Sequence, residues 1–162
     1  MKEIQNMKIF VIIPDFQGRY MIVQKSRKTG NPKMWTVNGQ SIYNATMHYR
    51  VRAKVTEYFH KYLSKYIKEQ ITPMQIKQIR DNVGENKPHK LAISLDIYEI
   101  KRSKIPDVGN LWIWLKWFED ALQECEIIHD DSPDYVIESG RKTYHWVKED
   151  DQRKLVFTIQ IV

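Results

Sequence analysis

The sequence predicts an α+β fold with a mixed β-sheet and two long helices. Two patterns predict it. Residues 91 to 97, LAISLDI, alternate apolar and polar side chains as a strand does, whereas apolar residues between 43 and 67 recur every three to four positions as in a helix. Because 162 residues supply apolar material for one core rather than two, we interpret residues 1–162 as a single domain.

The first 40 residues read as a small group of strands. KIFVIIP, residues 8 to 14, is an apolar run stopped by proline, and residues 20 to 23 form a second short run after a Gln-Gly turn. WTVNG, residues 35 to 39, adds a brief strand that ends in an Asn-Gly turn. We therefore expect a sheet at the start of the chain.

The long helix that follows has Ser41 as its predicted N-cap. Its stripe of apolar and aromatic residues is more typical of a core face than of a base-stacking surface. Thr72 and Pro73, with Gln75 behind them, form a capping box, which predicts a short second helix to about Arg80.

The second half begins with the strand from residue 91 towards Ile100 and continues in a helix from Asn110. We expect a further strand from about residue 131, parallel to the first as in strand-helix-strand units, and an antiparallel meander made by DYVIES, TYHWV and KLVFTIQIV. Cys125 reads as a small core residue. Most of the helix tryptophans, at 112, 114 and 117, should pack inside, although an exposed one could wedge against a nucleic acid.

Charge is divided along the chain. Residues 1–106 carry 20 Lys and Arg against 8 Asp and Glu, whereas residues 107–162 carry 6 against 12. A basic face suits a polyanion, and an acidic cluster repels phosphate unless a divalent cation lies between them; an ordinary solvated surface is the alternative. The single cysteine, and the lack of a signal-peptide or membrane-spanning pattern, predict a cytoplasmic protein that does not enter a membrane.

Three acids occupy predicted element boundaries: Asp107, Asp130 and Asp131. Carboxylates at such positions can converge on a ligand, and hard oxygen ligands suit Mg²⁺. The alternative is structural, with Asp107 capping the following helix and the Asp130-Asp131 pair occupying a turn. Residue pattern alone does not bring the acids together.

The segment PDVGNLWIWLKWFEDALQECEIIHDDSPDYV resembles the signature of the RusA-type Holliday junction resolvases. The matches are Asp107 and Asn110, Lys116, the Asp120-Ala121-Leu122 triplet, and the Asp130-Asp131 pair. The order of the flanking elements is also similar over most of the chain, with Arg19-Tyr20 after the first strand. The chain departs from the pattern at Gly109, where an Asp is expected, and in a longer spacing from Asn110 to Asp120.

This resemblance implies a metal-dependent endodeoxyribonuclease that resolves Holliday junctions and related branched DNA. Asp107 and Asp131 would hold Mg²⁺, with Mn²⁺ as the alternative metal, and Asp130 would be a further ligand or neighbour. Lys116 would place a positive charge at the phosphate, and its structural alternative is a salt bridge to Asp120. With Gly109 in place of an acid, Asp130 or Glu119 could substitute, water could fill the position, or the protein could bind branched DNA and cut it weakly or not at all. We expect an activity that is retained but weakened.

The resemblance also implies partners. Lys101, Arg102 and Lys104 are the expected contacts to the DNA backbone, together with Arg19. A four-way junction has two-fold symmetry, so a homodimer with one site per subunit is the expected assembly. The implied setting is a bacterial virus or prophage acting in the host cytoplasm.

Overall fold

Alternating side chains build the central sheet. Strands β1 (Lys8–Ile13), β4 (Leu91–Ile100) and β6 (Lys154–Ile161) each bury every second residue. The fourth strand, β5 (Val136–Val147), lies parallel to β4, whereas β6 lies antiparallel to β4 and β1, so the order is β1-β6-β4-β5. The computed structural model describes residues 4–14, 19–22, 33–43, 47–102 and 105–162. For residues 19–22 and 33–35 it describes the backbone alone.

Four helices and a small hairpin complete the described fold. The hairpin is antiparallel and precedes the helices. The elements in chain order are β2 (Arg19–Ile22), β3 (Lys33–Thr36), α1 (Gly39–Tyr43), α2 (Tyr49–Gln70), α3 (Pro73–Asn82) and α4 (Trp112–Glu124), the last preceded by a 3₁₀ turn, Val108–Leu111. The predicted α+β fold with a mixed sheet and two long helices is thus confirmed.

The core lies between the sheet and the two long helices and is strongly aromatic. Phe59 of α2 stacks on Trp117 of α4 with 4.7 Å between ring centroids, and Phe118 stacks on Phe157 of β6 at 4.1 Å. All four side chains are almost completely buried. Because such pairs bury large apolar areas and fix ring orientation, they set the position of α4 against both α2 and the sheet. That position determines where the polar face of α4 lies.

The predicted start of the long helix is wrong. Ser41 belongs to the short helix α1, where Asn38 is the cap: its Oδ1 accepts a hydrogen bond from the Ser41 backbone N–H at 2.7 Å. The long helix α2 begins separately at Tyr49, and His48 caps it through Nδ1, which accepts from the Arg50 backbone N–H at 3.2 Å. Apolar spacing continued across the two helices, so periodicity alone could not reveal the break.

The predicted short helix is confirmed, including its capping box. The Thr72 Oγ1 accepts from the Gln75 backbone N–H at 3.2 Å, and the Gln75 Oε1 accepts from the Thr72 backbone N–H at 2.9 Å.

The predicted C-terminal meander is also wrong. DYVIES and TYHWV contribute to one strand, β5, which is parallel to β4 and has register shifts that leave Ile137 and Gly140 unpaired. The last strand, β6, does not pair with β5 but lies between β1 and β4. The expected parallel strand-helix-strand unit is present as β4-α4-β5. Within the described ranges, no helix is long and apolar enough to cross a membrane.

Candidate functional site

Lys116 lies on the polar face of α4 and contacts two carboxylates. Its Nζ is 2.9 Å from Asp120 Oδ1, one helical turn further along α4, and 2.5 Å from Asp131 Oδ2, in the loop before β5. Burial opposes the charge on Lys116, but the hydrogen bonds to Asp131 and Asp120 outweigh it and raise the pKa of the ammonium. Lys116 thus forms the salt bridge to Asp120 that was its structural alternative, and the same ammonium also contacts Asp131.

His60 of α2 extends this network on the other side of Asp120. Its Nε2 is 3.2 Å from Asp120 Oδ2, at an angle that falls short of a hydrogen bond, and its Nδ1 is 2.9 Å from Glu124 Oε1. The contact with Asp120 is the main cause of the raised pKa of His60. Burial acts to raise the pKa of Asp120, but His60 and Lys116 together hold it below its ordinary value. Asp120 is thus an ionised bridge between an imidazole and an ammonium.

Glu119 adds a buried carboxyl group beside Asp131. The Ser139 hydroxyl of β5 lies close enough to favour the ionised form of Glu119. Burial, and then the negative charge of Asp131, raise the pKa of Glu119 above its ordinary value, against the opposing effect of Ser139. Lys116, Glu119, Asp120 and Asp131 form what we call the acid–lysine cluster.

Asp107 lies at the start of the 3₁₀ turn that leads into α4. Its backbone carbonyl accepts from the Asn110 N–H at 2.9 Å, but its exposed side chain caps nothing among the residues described. The Tyr144 hydroxyl of β5 donates to the Pro106 carbonyl at 2.8 Å and so fixes this segment against the sheet. Burial, followed by the charges of Glu99 and Asp107, raises the pKa of Tyr144 to about 12. The Asp107 carboxylate is therefore not used as a helix cap.

Asp130 and Asp131 have different roles in their loop. The Asp130 Oδ1 accepts a hydrogen bond from the Asp131 backbone N–H at 2.8 Å, as in a turn, and this leaves the Asp131 carboxylate to contact Lys116. Of the predicted site residues, the structure brings Asp131 and Lys116 into contact. It describes no contact that joins Asp107 to this pair.

The donor groups suit Mg²⁺ in kind, because the cluster and Asp107 offer carboxylate oxygens. Within the described residues, however, no three or more His, Cys, Asp or Glu side chains are placed to hold a metal ion together. The Lys116 ammonium lies between the carboxylates of Asp120 and Asp131 and balances their negative charge. Gly109 is exposed, and a Cβ added there would meet nothing described within 4 Å, so the turn has room for the acid that the resemblance expects.

The predicted DNA contacts are described only in part. Lys101 and Arg102 are exposed after β4, with the Lys101 Nζ 5.9 Å from the centroid of the Trp146 ring. Arg102 also has a structural contact, since its Nη2 donates to Glu99 Oε1 at 3.1 Å. Lys104 and the side chain of Arg19 lie outside the described residues.

Comparison with known proteins adds no relative. No family model matches this chain, and no curated protein matches it either. The likeness to the RusA-type resolvases therefore stays a prediction that depends on the motif residues.

Sequence reasoning missed His60. No local pattern pairs it with α4, because its partners lie 60 and 64 residues further along the chain. One signal was present: Asp120 and Glu124 are four residues apart and thus share a helix face. Those two carboxylates, with Lys116 paired to only one of them within α4, could receive a further cation from another element.

Proposed function

We propose that this chain is a metal-dependent, structure-selective endodeoxyribonuclease that resolves Holliday junctions and related branched DNA. The observation that carries the proposal is the contact of Lys116 with Asp131 across 15 residues of sequence. The resemblance assigns both residues to the active site. If Lys116 served only in a salt bridge to Asp120, its contact with Asp131 would not be needed.

In the proposed mechanism, Asp107 and Asp131 would hold Mg²⁺ or Mn²⁺, with Asp130 beside them. When bound there, the ion would supply an activated water and positive charge at the phosphate. Lys116 directs a positive charge at the scissile phosphate or the leaving oxygen. Asp120, held by His60, keeps the Lys116 ammonium protonated and limits its movement. Lys101, Arg102, Lys104 and Arg19 contribute contacts to the DNA backbone.

The proposed assembly is a homodimer, because two symmetric cuts in a junction require two sites related by two-fold symmetry. Its setting, by the same resemblance, is the cytoplasm of a bacterium that carries a phage or prophage. Light scattering on the purified protein should give twice the chain mass of 19.5 kDa. A stable monomer bound to the junction would contradict the dimer but not the nuclease.

Cleavage of a synthetic four-way junction in Mg²⁺ tests the nuclease. Wild-type protein should nick the junction near its centre, and Asp131→Asn and Asp107→Asn should each lose at least about a hundredfold in rate while still binding it. Asp134→Asn is the matched control, since Asp134 is an exposed acid three residues after Asp131. Loss of cutting in the control as well would contradict the assigned roles.

A second candidate is a branched-DNA-binding protein that does not cut. Gly109 favours it, because this position lacks the acid that the resemblance expects. Gly109→Asp separates the two possibilities, and the open space around residue 109 allows the substitution without a clash. Tight, salt-sensitive junction binding with no cutting by wild type or Gly109→Asp, in Mg²⁺ or Mn²⁺, would favour the binding protein.

A further inference from the structure

A cleft of about 490 Å³ opens beside the acid–lysine cluster, between α1 and the first turns of α2. Its volume falls within the range of about 300–1,000 Å³ typical of small-ligand sites. The cleft is open to solvent along one side. Its walls include Tyr43, Tyr49, Arg52, Thr56 and His60.

The walls pair aromatic rings with arginines. Tyr43 is 40% exposed and Tyr49 is 63% exposed, so part of each side chain is open to solvent. The guanidinium carbon of Arg52 lies 5.1 Å from the centroid of the Tyr43 ring, and that of Arg50 lies 5.7 Å from the Tyr49 ring. An exposed ring next to a fixed guanidinium is the combination that binds an unpaired base and its phosphate.

Trp112 supports this surface from α4. Its ring centroid lies 5.3 Å from that of Tyr43, and it is 40% exposed, whereas Trp114 and Trp117 are buried. It also lies against Gly39, where an added Cβ would come within 2.1 Å of the indole Nε1. The glycine thus allows the tryptophan to reach Tyr43. The sequence left open whether one of the three helix tryptophans is exposed to a nucleic acid, and Trp112 is the exposed one.

The guanidinium of Arg52 does not use all of its N–H groups in hydrogen bonds to the described residues. Its Nε is buried and has no hydrogen-bond partner among the residues described, and its Nη2 makes only a long contact, 3.5 Å, to the Met47 carbonyl. A buried N–H without an acceptor is costly, so a rotation of the Arg52 side chain that brings this donor to an arriving acceptor removes that cost. The acidic wall residue, Glu57, is already paired with Lys61 at 2.9 Å and opposes a phosphate less than a free carboxylate would.

The cleft and the acid–lysine cluster share a wall. His60 lines the cleft and contacts Asp120, which contacts Lys116, which contacts Asp131. A nucleotide in the cleft would therefore be linked to Lys116 and Asp131 through His60 and Asp120. We propose that the cleft binds one unpaired nucleobase of DNA, stacked on Tyr43, with Arg52 bonded to the base edge or adjoining phosphate. This inference rests on the proposed function and specifies the feature of branched DNA that the protein recognises.

Binding without metal tests the inference independently of cutting. The probe is a junction with one unpaired 2-aminopurine at the branch point, titrated in EDTA while 2-aminopurine fluorescence and anisotropy are recorded. Stacking should quench the fluorescence. Tyr43→Ala should weaken binding about 5- to 150-fold and abolish the quenching, which is the effect of losing one base–aromatic contact. Tyr43→Phe should bind as wild type does.

Tyr58→Ala is the matched control, because Tyr58 is 38% exposed but does not line the cleft. It should leave affinity and quenching unchanged. Circular dichroism verifies that each variant is folded, and Tyr43→Leu, which keeps apolar bulk without an aromatic ring, takes the place of Tyr43→Ala if the latter does not fold. The inference is overturned if Tyr58→Ala weakens binding as much as the cleft variant, or if wild-type protein leaves the fluorescence unquenched.

The outcomes also separate this inference from the proposed function. Quenching that depends on Tyr43, in a protein that never cuts, would support the cleft and contradict the nuclease. Cutting that depends on Asp131, with binding and quenching unaffected by Tyr43→Ala, would support the nuclease and overturn the cleft.

Discussion

His60→Gln tests whether a charged imidazole joins α2 to α4. Glutamine keeps a polar side chain at this position but cannot take up a proton. In the native protein, His60 contacts Asp120 and Glu124, and the contact with Asp120 is the main cause of its raised pKa. We therefore expect the substitution to lower the free energy of unfolding, and to do so most at acidic pH.

The sign follows from the pKa shift. Because the pKa of His60 in the folded protein lies above its ordinary value of 6.5, the proton on His60 stabilises the fold fully below that pH. The stabilisation disappears as the pH rises through the raised pKa. Asp120 stays ionised throughout this window, since its own pKa is held below the ordinary 3.8.

The magnitude follows from the exposure of the partners. The contact of His60 with Asp120 is an ion pair at 3.2 Å between two mostly shielded side chains, and we assign it about 1 kcal/mol. Glu124 is half exposed, so we assign its pair less than about 1 kcal/mol. We expect a loss of about 1–2 kcal/mol near pH 5.5, which lowers the melting temperature by about 2–8 °C for a chain of this size.

Urea denaturation followed by circular dichroism, at about pH 5.5 and about pH 8.5, measures this difference. The free-energy gap between wild type and His60→Gln should shrink clearly at the higher pH. His129→Gln is the control, because His129 is exposed and pairs with no carboxylate among the described residues. A gap of the same size at both pH values would refute the reasoning and would mean that His60 acts by packing.

Two further substitutions test the fold around the site. Glu99→Gln should cost about 2–3 kcal/mol in urea denaturation, because the buried carboxylate binds Arg153 through two hydrogen bonds, of 2.6 and 3.0 Å, and its loss leaves a half-buried cation; an unchanged midpoint would contradict this. Thr72→Ala should cost about 1 kcal/mol in thermal denaturation by removing the capping box of α3, and an effect below about 0.3 kcal/mol would show that packing alone holds this helix.

Elements with strong local signals were predictable. The strand at 91–100 was readable because its side chains alternate strictly, and the start of α3 because Thr72, Pro73 and Gln75 form a cap within four residues. The start of α2 was not predictable, because the apolar spacing of α1 continues into α2. The position of β6 in the sheet was missed for a related reason. This strand pairs with β1 and β4, which are distant in sequence, and no short sequence pattern specifies those partners.

The sequence by itself determined the kinds of element, the charge division and the motif residues, because these depend on composition and short spacings. Only the tertiary structure decided which of those residues meet. It brought Asp131 to Lys116 because α4 packs across the sheet beside the loop that opens β5, and it brought His60 to Asp120 because Phe59 and Trp117 stack between α2 and α4. It also left Trp112 exposed beside Tyr43, a choice between core and surface that helical spacing leaves open.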